Sequence, residues 1–227
     1  MKCVEWKKSC ILQRIEAMEN IVIVGFGGHG KSVADCIERQ SKYRIVGYTD
    51  FQSHSDCKYA YLGTDAALEE LYQSGVHNAA ICIGYLGKGD VREKLYSKLK
   101  KTGYTMPIII DPSAIISETA VLGEGTFVGK MAVINAEAEV GKMAIINTKA
   151  LVEHDCKIGD YTHIAVSAVL CGEVSVGQAS FVGANSTIIQ SRKLGDRVIV
   201  GAGSVVTKDI ENGRLFRNAF GAVVEDN

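Results

Sequence analysis

Several things are scarce in this chain, and each scarcity excludes a class of protein. No run approaches the roughly 20 apolar residues that a membrane span requires, and charge interrupts every short apolar run in residues 1–18, so that stretch does not read as a secretory signal. Net charge is scarce too: 25 Lys+Arg against 26 Asp+Glu leaves −1, without the cationic excess that neutralising nucleic-acid phosphates demands. The seven cysteines show no C-x-x-C and no paired spacing, which argues for reduced thiols in a cytoplasmic setting over a disulfide frame or a zinc site. There are only two prolines, Pro107 and Pro112, and they fall in one six-residue window. The sequence changes character there, which marks a domain boundary.

What is present is a count of six. From Ile110 to Val206 an Ile, Leu or Val recurs at every sixth position (110, 116, 122 and so on to 206) for 17 hits without a miss. With about a quarter of residues of these types, chance yields such a run on the order of 10⁻¹⁰ of the time in a given register. Small residues such as Thr126, Ala150, Thr162, Ser180 and Ser186 stand two positions before most hits, and glycine follows many of them (123, 129, 141, 159, 177, 183, 195, 201). A six-residue period does not fit an α-helix; it fits a short strand plus a tight turn, coiled as a hexapeptide β-helix. On this reading the aliphatic residue fills the interior, the small residue lets the corner close, and the glycine supplies a positive φ for the turn.

This run resembles the left-handed parallel β-helix of the hexapeptide acyltransferases, in which three hexads make one coil and residues 18 apart stack. The residue before each interior aliphatic then faces outward. Sorting these residues by face gives an apolar column Phe127/Ile145/His163/Phe181/Ile199, a second Val133/Leu151/Val169/Thr187/Val205, and a polar column Val121/Glu139/Lys157/Ser175/Lys193. Two exposed apolar stripes favour a head-to-tail ring, and the resemblance implies a homotrimer with active sites between subunits.

The first part of the chain alternates strands and helices. Ile21–Gly25 reads as a strand running into Gly25-Phe26-Gly27-Gly28-His29-Gly30, a G-x-G-x-x-G pattern, followed by a helix over Ser32–Gln40. Strands at Arg44–Thr49 and Ala79–Ile83 and helices at Ala66–Gln73 and Val91–Lys101 complete a small α/β unit with a parallel sheet, whose ligand site lies at the strand C-termini. The expected layout is therefore an extension over 1–18, a Rossmann-like nucleotide-sugar-binding domain over 19–106, a left-handed β-helix over 107–210 and a tail over 211–227. A glycine-rich loop of this kind joined to a hexapeptide β-helix resembles the sugar O- and N-acetyltransferases typified by the UDP-4-amino-sugar N-acetyltransferases of bacillosamine synthesis and by sialic acid O-acetyltransferases. The resemblance covers residues 20 to about 210, so Met18 is a candidate initiator just ahead of it.

Within the hexads, His154 occupies a corner where glycine or a small polar residue would suit the fold. Acyl transfer needs a base of near-neutral pKa, and a neighbouring carboxylate, Asp155 or Glu153, can orient the ring. The resemblance assigns that role to Asp155. Gly172, 18 residues on, stacks one coil above His154 and can offer its N–H to an oxyanion. His163 breaks an apolar column, and the resemblance places it against acetyl-CoA, with the backbone near Ala184 and Ala202 lining the same groove. It also implies a nucleotide-sugar held against Gly27, Gly28, His29, Asp50 and Gly84, with Asn147 near the sugar. The expected activity is acetyl-CoA-dependent N-acetylation of a nucleotide-linked, UDP-first, 4-amino-4,6-dideoxy sugar for surface glycans. O-acetylation of a sialic-type sugar is the alternative. A zinc β-helix enzyme resembling γ-type carbonic anhydrase is disfavoured because the β-helix half holds two histidines where three ligands are needed, so no metal is expected. A non-catalytic sugar-nucleotide scaffold is the remaining class.

Three stretches depart from the family pattern: Thr49-Asp50 replaces a pair of acids, 84–90 (GYLGKGD) is longer than the usual turn, and 216–219 (FRNA) lacks the usual proline.

Overall fold

The computed structural model describes residues 18–87 and 89–217. Most of the 1–18 extension, Lys88 of the long 84–90 segment, and the tail from 218 onward, with Asn218-Ala219, lie outside the described residues. The chain divides into two compact units, one of residues up to 84 with 90–112, the other of 85–89 with 113 onward.

The first unit is a three-stranded parallel sheet, β1 (Glu19–Val24), β2 (Tyr43–Thr49) and β3 (Asn78–Ile81), in the order β2-β1-β3. Its helices are α1 (Gly28–Gln40), α2 (Leu68–Gln73) and α3 (Val91–Thr102), with one 3₁₀ turn at Asp65–Ala67. Ile21, Val22 and Ile23 are fully buried, as expected for the middle strand of a parallel sheet covered on both faces. Helix α1 starts four residues earlier than its apolar pattern suggests, because Gly27 serves as its N-cap and the glycines themselves form the first turn. Gly25 turns the chain at φ +87°, while Gly30 gives close packing: a Cβ there would lie 2.7 Å from the Gly25 carbonyl oxygen.

The second unit is a triangular parallel β-helix built of two-residue strands. One sheet stacks Phe127–Val128, Ile145–Ile146, His163–Ile164, Phe181–Val182 and Ile199–Val200, each pair 18 residues from the next. A second runs through Leu151–Val152 and a third through Lys157–Ile158 with the same spacing. Val128, Ile134, Ile146, Val152, Ile164, Leu170, Val182, Ile188, Val200 and Val206 are completely buried. Each such aliphatic contributes about 1.5–3 kcal/mol by leaving water.

The small interior residues do more than let corners close. Thr126, Thr162, Ser180 and Ser186 donate their hydroxyls to the carbonyls of Gly141, Gly177, Gly195 and Gly201 at 2.7–2.9 Å. Each also accepts an N–H from the residue 18 positions on, at Ala144, Ser180, Val198 and Ser204. The hydroxyls thus join successive coils while satisfying their own buried polarity.

The glycines that follow the aliphatic hits need a different explanation from the one their position suggests. From hit 122 to hit 200 the left-handed residues lie three positions after the hit and are mostly not glycine: Met131, Glu137, Met143, Lys149, Asp155, Tyr161, Ser167, Glu173, Ala179, Asn185, Ser191 and Arg197. Glycine is needed after the hit because the next coil leaves no room for a side chain. A Cβ at Gly123, Gly159 or Gly183 would come within 2.4–2.5 Å of the backbone nitrogen of Lys142, Gln178 or Ala202.

The expectation of two free apolar stripes is also corrected. Phe127, Ile145 and His163 are already buried within the single chain, at 5%, 1% and 7% exposure. Residues 85–87 lie on this face: Tyr85 reaches His163 and Ala179, and Gly87 at φ +83° packs against Ile199. Strand alternation decides which side chains point outward, but it does not decide what covers them. The second column remains partly open, with Val205 at 47% exposure.

Candidate active site

His154 sits on the corner after the strand Leu151–Val152, directly ahead of left-handed Asp155 (φ 58°). The fold holds this turn from both sides: Asp155 N–H donates to the Ala136 carbonyl below, and the His154 carbonyl accepts from Glu173 above, at 3.0 and 2.9 Å. The exposed imidazole pairs through Nδ1 with Asp155 Oδ2 at 2.7 Å. A carboxylate at that distance keeps the proton on Nδ1 and leaves Nε2 as the basic atom. The hydrogen bond to Asp155 raises the pKa of His154 above the ordinary histidine value; desolvation opposes the shift, while the charges of Asp155, Glu153 and Glu173 add to it. Glu153 takes the His154 backbone N–H at 3.3 Å, so of the two candidate acids Asp155 is the one on the ring.

Gly172 lies against that ring. A Cβ at Gly172 would be 2.6 Å from both Cε1 and Nε2 of His154, so only glycine leaves the imidazole where it is. The Gly172 carbonyl accepts from Ser191 N–H at 2.9 Å, and among the described residues its own half-buried N–H donates to nothing. A basic nitrogen and a free amide donor, one rung apart, form an arrangement suited to acyl transfer.

The other predicted residues of this unit lie on a different corner. Asn147 follows the strand Ile145–Ile146, and its side-chain Oδ1 accepts the Thr148 N–H at 2.8 Å. His163 is buried, with Nδ1 2.6 Å from the Tyr85 carbonyl and Nε2 3.2 Å from Asn147 Nδ2. Ala184 and Ala202 stack on this same corner, where the Ala184 carbonyl accepts from Gly203 N–H at 2.8 Å. Within one chain, then, His154, Asp155 and Gly172 meet at one edge of the half-exposed Val133/Leu151/Val169 face, and Asn147, Ala184 and Ala202 line the other.

In the α/β unit, Gly25, Asp50 and Ile83 lie one or two residues past the ends of the three strands and line a crevice of about 170 Å³ with Phe51, Thr64 and Asp65. Gly27 and Gly28 face open space at the start of α1, whose first turn carries no acid, and a Cβ at Gly84 would lie 3.9 Å from that of His29. Asp50 is heavily engaged. Its Oδ2 accepts from Phe26 N–H (2.8 Å) and lies 2.9 Å from His54 Nε2, while Oδ1 accepts from Phe51 N–H (2.7 Å). Burial pushes its carboxyl up, but the hydrogen bonds from His54, Phe26 and Phe51 outweigh this and hold it below the usual carboxylate range. Sequence reasoning did not find His54 or Tyr85: an Asp-x-x-x-His spacing in a loop carries no motif, and a backbone carbonyl leaves no mark in a sequence. A second cleft of about 400 Å³ is lined by Phe26, Lys31, His54 and Tyr59. Among the described residues there is no group of three or more His, Cys, Asp or Glu able to hold a metal, and no helix long and apolar enough to cross a membrane.

A glycine-rich α/β unit joined to a triangular β-helix with an imidazole–carboxylate pair at a corner defines a hexapeptide-type acyltransferase. Comparison with known proteins makes the assignment narrower. Residues 20–99 match the PglD N-terminal domain model and residues 173–208 the hexapeptide repeat of succinyl-transferase. The crystal structure of PerB from Caulobacter crescentus, in complex with CoA and GDP-perosamine, superposes with a TM-score of 0.82 at 33% identity over 89% of this chain and 95% of that one. The acetyltransferase domain of PglB from Neisseria gonorrhoeae, in complex with acetyl coenzyme A, gives 0.82 at 28% identity, over 88% of this chain and 97% of that one. UDP-N-acetylbacillosamine N-acetyltransferase of Bacillus subtilis is 38% identical over 113 residues, 49% of this chain and about half (51%) of that relative's length. The chain belongs to the hexapeptide-repeat sugar acetyltransferase family, and its reaction class is acyl transfer.

Proposed function

We propose that this protein uses acetyl-CoA to N-acetylate the amine of a nucleotide-linked 4-amino-4,6-dideoxy sugar for surface glycan synthesis in the cytoplasm. The observation that carries this reading is the His154–Asp155 pair with Gly172 against the ring. The sugar amine attacks the thioester carbonyl while His154 Nε2 takes its proton, with Nδ1–H held by Asp155. The Gly172 N–H receives the developing oxyanion. Collapse breaks the C–S bond, and the proton passes to the departing thiolate, giving the N-acetyl sugar and free CoA.

The acid-free N-terminus of α1 at Gly27 and Gly28 suits the phosphates. Asp50 and Asp65 across the crevice suit hydroxyl donors such as a ribose. The names of the Bacillus and Caulobacter relatives support UDP and GDP, respectively, as carriers, and UDP is the first candidate. The remaining apolar column, with the two site corners at its edges, supports assembly as a homotrimer whose active sites are completed between subunits.

The test is CoA release from acetyl-CoA with UDP-, GDP- and dTDP-linked 4-amino sugars, alongside sialic-type acids as hydroxyl acceptors. Release with an amino sugar and not with the hydroxyl acceptors is expected. Folded protein that releases CoA with none of them, or with hydroxyl acceptors alone, would overturn N-acetylation.

A further inference from the structure

His154 and His163 are nine residues apart, and the structure uses them in opposite ways. The ring of His154 is exposed with a basic nitrogen left open, whereas the ring of His163 is buried with both nitrogens engaged. A carbonyl oxygen can only accept, so the 2.6 Å contact with Tyr85 places a proton on His163 Nδ1. A backbone N–H can only donate, so the 2.8 Å bond from Thr148 fixes Asn147 Oδ1 on that side and turns Nδ2 toward His163. Nε2 of His163 is therefore the acceptor of an Asn147 N–H. The orientation is determined from both ends.

The residue that starts this chain of bonds comes from the 84–90 segment. Tyr85 is buried, its phenol donates to the Ala179 carbonyl at 2.7 Å, and two residues on Gly87 lies flat against Ile199. These anchors hold the Tyr85 carbonyl over His163. At the other end, Asn147 is half-buried, and its second Nδ2–H has no acceptor among the described residues.

We infer that Tyr85 and His163 are positioning residues: the Tyr85 carbonyl locks His163 as the neutral Nδ1–H tautomer, which fixes the Asn147 amide with its remaining N–H presented to the acceptor sugar. This rests on the reading of the protein as an amino-sugar acetyltransferase. In this arrangement His163 acts on the sugar through Asn147.

Two measurements test this. Histidine-labelled ¹⁵N spectra of the full chain at neutral pH should show His163 protonated on Nδ1 alone; an Nε2–H or doubly protonated ring would overturn the lock whatever the substrate. Asn147→Asp keeps an oxygen for Thr148 N–H but removes the donor and forces a proton onto His163 Nε2. It should raise KM for the acceptor at least tenfold, leave KM for acetyl-CoA within twofold, and leave the acidic limb of the pH profile in place. Tyr85→Phe, which keeps the carbonyl and loses only the phenol anchor, should raise acceptor KM a few-fold and leave kcat within twofold. A rise in KM for acetyl-CoA instead, or an unchanged acceptor KM in Asn147→Asp, would overturn the assignment. Failure of the wild type to use any amino sugar would refute the activity and leave the tautomer result standing.

Discussion

The β-helix is held by one rung repeated: a buried aliphatic, a hydroxyl or methyl two positions earlier, and a glycine where the next coil presses down. The α/β unit has no repeat, and its groups are tied by contacts that follow no period, as when Asp50 joins the glycine-rich loop at Phe26 to His54. A departure from the pattern therefore means different things in the two regions. In the β-helix an unexpected His154 stands out and leads to the chemistry. In the α/β unit nothing is regular enough to depart from, and a site residue shows itself only through its contacts.

The strongest way to sharpen this contrast is His154→Ala. Loss of the base should lower kcat by about 10²–10⁴ in the CoA-release assay while the thermal midpoint stays near wild type, because the ring is exposed. Activity within a few-fold of wild type would remove His154 from the mechanism. Next in size is the core position Ile146, fully buried in a coil, where Ile146→Ala should cost about 2–5 kcal/mol of unfolding free energy, read from urea melts. A smaller pair of substitutions compares two glycines. At Gly30 an added methyl meets the Gly25 backbone carbonyl, and Gly30→Ala should cost about 1–3 kcal/mol through overpacking. At Gly172 it meets the mobile end of an exposed imidazole, so Gly172→Ala should fold normally and lose on the order of 10- to 100-fold in kcat by displacing the ring. Equal stability losses in the two variants would erase the distinction.

The finest tests concern pH. Asp155 raises the pKa of His154, and only the unprotonated ring can act as base. The acidic limb of kcat/KM should therefore rise through a pKa above the ordinary histidine value, and Asp155→Asn should move that limb to lower pH. Asp50 works on stability in the other direction. Its folded-state carboxyl lies below its unfolded value, so its contribution is complete above the ordinary carboxylate range and is lost as pH falls through the depressed value. Asp50→Asn should make the acid side of the stability profile shallower, a change measurable by urea melts between pH 2 and pH 5.

The hexad register was fully legible, since a period of six leaves only one way to bury an aliphatic at every hit. The stacking of Gly172 above His154 followed from the same count of 18. The glycine-rich turn was legible as well, although two of its glycines have different tasks, Gly25 a positive φ and Gly30 a close approach. The reason for glycine after many of the hits is not legible in the spacing, because the crowding comes from the next coil while the positive φ falls on residues such as Asp155 and Glu173. The Phe127/Ile145/His163 column alternates with the interior aliphatics as expected, yet His163 in it is met by Tyr85, from a distant part of the chain.

The sequence by itself determined the periodic core, the order of the two units and the corner that carries the imidazole, because each is a matter of spacing along one chain. Only the tertiary structure decided which carboxylate reaches that imidazole, that Asp50 is occupied by Phe26 and His54, and that the Tyr85 carbonyl meets His163. Those are hydrogen bonds, and a hydrogen bond depends on a few tenths of an ångström and an angle that residue spacing does not specify.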